Sequence, residues 1–573
     1  MQSLRRSLID YEMAMLRALA RNRGVELATN RQVEAAEQMT VALADPLSVR
    51  TALARLSPAG REALDTVLAA GGQMRAPQFA RQFGALRPIG PGRLEREAPW
   101  REPANAWEEL YYLGLLFRGF FDDPGGPGEF VFVPDDLCPL LPAPEMESPS
   151  FSVEVVPAPA RGDRSGRDLV GDLFAYLVYV QTHDVRTYAD GRIGQRSMAA
   201  LRRRLAGASD RRLDFVHHLA GRLGFVLRQD GALRLRAGPV KQWLSASSAQ
   251  RRAMLQAAWR DDEEWNDLCQ VPGLACDHAV PWHPPQDPVA TRRAILALLA
   301  LCPSGEWWSL ASFVSSVKVF HPDFQRPDGD YTSWYIRDDT SGDYLSGFDS
   351  WDRAEGALLA DLLTGPLAWL AIVDTAETGA GAACRLTPDG ARFLGLAPAA
   401  PEPGMAPPIV VTPDFGIEVP PPVNLYTCFQ LERFADPRSP SGPLPEAQPR
   451  RYRLTVSSLG RALSRDVRGE QVVAFLRQSS ADRVPPNVTA QIQVWAGRFG
   501  KVQVEEVALL KVESERVLKE LSVLPETRGL IGRTLSPTSA LVRRRDLPRL
   551  RKELRALGYL PPGEGTDDPA QHD

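Results

Sequence analysis

Apolar residues recur at helical spacing from the start of the chain. Met13, Leu16, Leu19 and Ala20 share a face, and residues 1–48 read as a helical N-terminal segment. From Ser57 the pattern changes to helices interleaved with short extended runs. Ser57-Pro58 opens a helix (SPAGREALDTVLAAGG), with Ser as cap and Pro in the first turn, and Gly71-Gly72 ends it. The extended run QMRA, the helices APQFARQFG and AWEELYYLGLLFRGF, and two strands in FFDDPGGPGEFVFVP follow. Helix, short strand, helix, helix, hairpin is the order of a winged helix, a helix-turn-helix variant.

The order recurs twice. Residues 167–245 give the helix DLVGDLFAYLVYVQ, the strand DVRTY, the helices QRSMAALRRRLAG and DRRLDFVHHLAGRLGF, and a hairpin turning at Asp230-Gly231. Residues 290–396 give TRRAILALLALC, EWWSL, ASFVSSVKVF, the single helix LLADLLTGPLAWLAIV and the hairpin IVDTAETGAGAACRLTP. Three copies of one order predict a repeat architecture.

The expected organisation is a unit at 49–145, a linker at 146–166, a basic unit at 167–260 and a connector at 261–289. An acidic unit at 290–396 carries a long aromatic loop, and 397–408 is a second linker rich in Pro. The order then changes. Residues 409–561 read as an α+β domain: short strands around Asp414, strand and capped helix in RYRLTVSSLGRAL, helices EQVVAFLRQSS and PPNVTAQIQVWAGRFG, a strand pair in KVQVEEVALLKVES, helix ERVLKELSVL, strand TSALVRR, and a basic helix LPRLRKELRALGYLP. Residues 562–573 read as a disordered tail. The predicted fold is thus mainly α with α+β, tandem winged-helix units followed by a C-terminal α+β domain.

Composition is ordinary for a globular chain of 573 residues, 44% hydrophobic and 24% charged. No apolar run approaches a membrane span, and charges interrupt the N-terminus every turn, so a signal peptide is not expected and a cytoplasmic home is. The six cysteines, with no CxxC, are expected to be reduced. Cys269, Cys276, His278 and His283 have no common zinc spacing, so no metal is expected. Charge changes the picture more. Residues 161–260 hold 19 basic and 8 acidic side chains, residues 261–408 hold 8 and 22, and residues 409–560 hold 24 and 16. Basic blocks beside acidic ones point to a polyanion partner, and the basic residues are nearly all Arg, a planar fork suited to phosphate.

The segments IVVTPDFGIEV, YRLTVSSLGRAL, GEQVVAFLRQ, VPPNVTAQIQVWAGRFGKVQV and LRALGYLP resemble the N-terminal domain of XPB-type DNA repair helicases, which also occurs in helicase-associated bacterial proteins. Residues 321–359 resemble bacterial relatives carrying that domain. The resemblance implies DNA transactions in repair or transcription, with a helicase or nuclease as partner in trans. It does not extend to a motor. The one Gly-Lys pair, Gly500-Lys501, is followed by Val502 where a P-loop needs Ser or Thr, and no DExH run occurs. No enzymatic activity and no cofactor are therefore expected.

Two basic sets are the candidate DNA contacts, mostly to the backbone. Arg202, Arg203 and Arg204 end one helix, Arg211, Arg212 and Arg222 lie on the recognition-position helix, and Arg228, Arg234 and Arg236 lie on the wing. The second set is Arg543, Arg544, Arg545, Arg551 and Arg555, with Arg549 and Lys552 among them. His217 and His218 fall within the recognition-position helix without a readable catalytic partner. Residues 320–352 hold eight aromatics and eight Asp, and Trp334, Tyr335 and Trp351 are the expected contacts to a protein partner, because the acids repel phosphate. The rival expectation is a protein-interaction adaptor whose winged helices bind protein and not DNA.

Overall fold

The structure, a computed structural model, describes residues 2–123, 126–144, 150–159, 169–205, 209–276, 286–400, 404, 406–438, 448–501 and 506–559. It is a mixed α and α+β chain of short helices and small antiparallel sheets. The backbone divides into two units: residues 1–409 with 418–433 and 437–452, and residues 410–417, 434–436 and 453–573.

The first unit begins with the helices Leu4–Ile9, Met13–Arg23, Gln32–Leu43 and Pro46–Ala54, as the periodicity predicts. They share one core with the next elements, with Leu16, Leu19, Met39, Leu64, Phe79, Leu110 and Phe132 among its buried members. The helix Pro58–Ala69 is capped by the Ser57 hydroxyl, which accepts from the Gly60 N–H. Strand Gln73–Arg75 follows, then helices Ala76–Phe83 and Ala106–Tyr112, then strands Phe117–Asp123 and Gly126–Phe132. The last strand lies between the other two.

Glu108 is buried on the 106–112 helix. Burial pushes its carboxyl up, but hydrogen bonds from the Arg87 side chain and from the Ala104 and Arg87 N–H groups outweigh that and hold it below the ordinary value of 4.5. A depressed folded value contributes stability that is complete above pH 4.5 and is lost as pH falls through the folded value. Melting temperature should therefore drop in acid, and Glu108→Gln should lower it at neutral pH and flatten the acid limb.

The same strand order appears again near the end of this unit. Trp308–Ser309 pairs with the central strand Gly381–Leu386, which pairs with Val373–Thr378. In the middle group, Val226–Gln229 pairs with Ala232–Leu235, and Arg186 bridges Ala232 where a third strand would lie. That hairpin turns at Asp230 and Gly231 with φ of 51° and 71°, the left-handed pair a two-residue turn requires.

Two predicted features differ. The single helix expected through LLADLLTGPLAWLAIV is two, Ala357–Thr364 and Pro366–Trp369, broken at Gly365, because Pro366 cannot donate back into the preceding turn. Residues 151–156, placed in a linker, lie along the third group. Val156 donates to Trp307 O at 2.8 Å, Ser309 to Glu154 O at 2.9 Å, and the Phe151 ring sits 5.8 Å from that of Phe313.

In the second unit, the Thr455 hydroxyl and Ser458 form a capping box that starts the helix Val456–Leu463. Helices Gly469–Ser479 and Pro486–Arg498 follow. A three-stranded sheet of Val507–Lys511, Ser539–Arg543 and Thr534–Ser536, with the second strand central, is backed by helices Glu515–Val523 and Leu547–Ala556 around Leu521, Val542, Leu550 and Leu554. Of the strand pair expected across KVQVEEVALLKVES, the second member is Val507–Lys511, while residues 502–505, where the first would fall, lie outside the described residues, and the strand Thr534–Ser536 was not foreseen.

Candidate nucleic-acid interface

The recognition-position helix of the middle group is Asp210–Arg222, capped by the Ser209 hydroxyl. Much of it is covered by the chain itself, while Asp210, Asp214, Gly221 and Arg222 stay exposed. Arg212 is 2% exposed and donates from Nε to Asp172 Oδ2 at 2.5 Å, inside the apolar helix Leu169–Thr182. Arg211 forms a two-pronged pair with Asp361 on the 357–364 helix. Phe215 packs on Trp265 and Trp369 at 5.4 and 5.6 Å. His218 is hydrogen-bonded to buried Asp262, and His217 Nδ1 lies 2.7 Å from Tyr176 Oη. Arg222 reaches the Asp261 carbonyl. Arg211 and Arg212 thus stand in internal ion pairs. The equivalent helix Ala106–Tyr112 is likewise largely buried.

What this group also leaves exposed is the end of the helix Gln195–Arg202 and the 226–235 hairpin. Arg202 pairs with Asp210, and Arg204 lies over the Tyr179 ring at 4.7 Å. Arg228 donates to Ala189 O at 2.7 Å, and Arg234 shares Asp184 with Arg186. Arg203 and Arg236 are exposed with no acidic partner among the described residues. Arg203→Glu should leave stability within about 0.5 kcal/mol of wild type, as an exposed substitution does. Arg212→Glu, placing two carboxylates together in the core, should prevent stable folding. Urea unfolding of the two variants checks the contrast.

The aromatic segment is built into the fold. Trp334 and Trp351 are buried, and Trp351 Nε1 donates to Pro322 O at 2.9 Å. Arg326, paired with Glu355 at 2.6 Å, lies over the rings of Trp334 and Tyr331. Asp323 accepts both Arg81 Nη groups, Gln78 and the Tyr331 hydroxyl, tying the segment to the 76–83 helix. Of the three aromatics expected to meet a partner, only Tyr335 stays exposed, edge-on to exposed Tyr344 at 5.5 Å. Trp334 and Trp351, expected to meet a partner, are instead buried within the chain, Trp334 beneath Arg326 and Trp351 with Lys318 5.4 Å from its ring.

The second basic set is assembled differently. The helix Leu547–Ala556 buries Leu550 and Leu554 and exposes Arg549, Arg551, Lys552 and Arg555. Exposed Arg543, Arg544 and Arg545 lead into it from the sheet. Arg544 pairs with Glu506 at 2.6 Å and Arg545 approaches Asp546 at 3.8 Å, but Arg549, Arg551 and Lys552 have no acidic partner among the described residues. Three exposed cations without an ion pair, with Glu553 as the one acid on the helix, give it a positive outer side.

The cysteine expectation is corrected at one place: Cys269 and Cys276 form a disulfide. Cys138, Cys302, Cys384 and Cys428 are free thiols. Burial pushes the Cys302 thiol up to about 12, away from reactivity. His278 and His283 lie outside the described residues, and no group able to hold a metal ion occurs among the described ones. No helix there is long and apolar enough to cross a membrane.

Residues 409–536 match the family described as the helicase conserved C-terminal domain. That block is helicase-related. The match covers the helices 456–463, 469–479 and 486–498 and ends before the central strand 539–543 and the basic helix 547–556. No curated protein matches the chain.

Proposed function

We propose that this helicase-associated protein is a non-enzymatic DNA-binding protein that holds the duplex by its phosphates. The observation that carries the reading is the exposed cation set Arg549, Arg551 and Lys552, none of them in an ion pair among the described residues, flanked by Arg543 and Arg555. Arg203, Arg228, Arg234 and Arg236 form a second, weaker contact on the middle group, which we read as a winged helix used through its wing rather than through its covered helix. The likeness of the 409–560 block to XPB-type N-terminal domains supports work in repair or transcription, alongside a motor supplied in trans. Fluorescence anisotropy with a labelled duplex at two salt concentrations tests this, because phosphate neutralisation gives steep salt dependence. Binding absent at low salt would end it.

The adaptor reading is favoured by one observation, the covering of the 210–222 helix by Trp265, Trp369 and Asp361. It expects flat salt dependence, with the exposed Tyr335–Tyr344 pair among its contacts.

A further inference from the structure

The second unit carries a helix whose outward face is chemically unlike a solvated one. Pro486–Arg498 buries only Val488 and Ile492, and these face the 456–463 and 469–479 helices. Packing is closest at one end, where a Cβ on Gly469 would meet the Ala496 methyl at 2.7 Å. The Phe415 ring, 5.3 Å from that of Trp495, braces the inner side, and Asn487 Nδ2 donates to Pro413 O at 2.8 Å. The helix is thus held at both ends.

The outer arc presents exposed Asn487, Val494 and Arg498, with half-buried Gln491 at its edge, exposed Gln493 on the other flank, and the small residues Ala490 and Gly497 between them. Val494 is 41% exposed. No acidic side chain occurs from Arg483 to Lys501. A helix exposed only for solubility would carry Glu and Lys there. This one carries three amides, a branched aliphatic, two residues too small to obstruct close approach, and cations at its two ends, Arg483 before it and Arg498 and Lys501 at its close. Amides pair with adenine N6 and N7, aliphatics meet the thymine methyl, and flanking cations meet phosphate. A helix of 13 residues, about 20 Å long, fits a major groove roughly 12 Å wide.

We infer that the outward face of the 486–498 helix reads base edges in the major groove of duplex DNA, with Gln491 as the bidentate amide and Val494 as the contact to a thymine methyl. This rests on the DNA-binding reading but makes a separate claim: sequence preference arises here, and not on the basic helix 547–556. Asn487, whose Nδ2 is engaged by Pro413 O, keeps its Oδ1 as an acceptor from a base amino group.

The experiment selects duplexes from a pool with a randomised core, using the full chain, and repeats the selection with Gln491→Ala, at a half-buried position, and with Val494→Ser, at an exposed one, urea unfolding checking that each variant folds as wild type does. Wild type should enrich a short A·T-containing site. Gln491→Ala should lose about tenfold of the preference at one base pair, as loss of a bidentate pair does. Val494→Ser should relax a neighbouring position. Both variants should hold unselected duplex within about twofold of wild type, since phosphate contacts supply that term. A wild type that binds but enriches nothing overturns the inference and leaves the DNA-binding reading standing, and so does a Gln491→Ala protein with unchanged preference. A wild type that binds no duplex overturns both.

Discussion

Replacing Arg549, Arg551 and Lys552 together by Gln should cut affinity for a short duplex about a hundredfold or more at 50 mM salt. Each cation lost removes one released counterion, so the slope of log K against log salt should flatten by about 2.7. The effect is large because none of these three exposed groups stands in an ion pair among the described residues, Glu553 being the one acid on their helix. Arg544, by contrast, must first leave Glu506, and its loss should matter less. The variant should fold normally, since the helix is held by Leu550 and Leu554. Anisotropy titrations at three salt concentrations give slope and affinity together. An unchanged slope would remove this helix from the interface.

The Arg292→Met variant should lose about 3–5 kcal/mol of stability in the first unit. Arg292 is fully buried, donates from Nε to Asp267 Oδ2 at 2.6 Å, and reaches the carbonyls of Trp259, Asp262 and Trp265. Removing it strands three acceptors and a carboxylate in the core. Burial already pushes the Asp267 carboxyl up, with Arg292 opposing. Without Arg292 it should take up a proton on folding, so the deficit should shrink as pH falls. A second change, Asp267→Leu, should recover part of the loss, because an apolar pair tolerates burial better than one unpaired charge. Urea unfolding followed by Trp fluorescence checks this, Trp259 lying against Arg292 at 5.2 Å.

Local structure was largely legible in the sequence because its signals are local. Ser57, Ser209 and Thr455 announce helix starts by supplying a hydroxyl to orphan N–H groups, and Asp230-Gly231 announces a hairpin by tolerating left-handed backbone. Gly365-Pro366 carried an equally local warning that the pattern of leucines obscured. The fate of the charges was not legible, since a count of Arg does not say which of them have partners. Arg211 and Arg212 look like the best groove contacts in the chain, and Asp361, 150 residues away in sequence, removes one of them. One signal was there to be read. Asp172 is the single acid in the run LVGDLFAYLVYV, and a carboxylate in so apolar a helix demands a buried cation. The aromatic segment misled for the converse reason. Eight rings among eight acids look like an open contact surface until Arg81 and Arg326 are found between them.

The pairing of Arg212 with Asp172 and of Arg211 with Asp361 also restricts how such a chain can diverge. Each pair joins positions encoded far apart, and either partner changed alone passes through a protein with an orphaned buried charge. A lineage therefore keeps both members or exchanges both. The middle group is joined to the third by Arg211 and Phe215 and to the segment between them by Phe215 and His218, so removing the middle group alone would uncover Trp265 and Trp369.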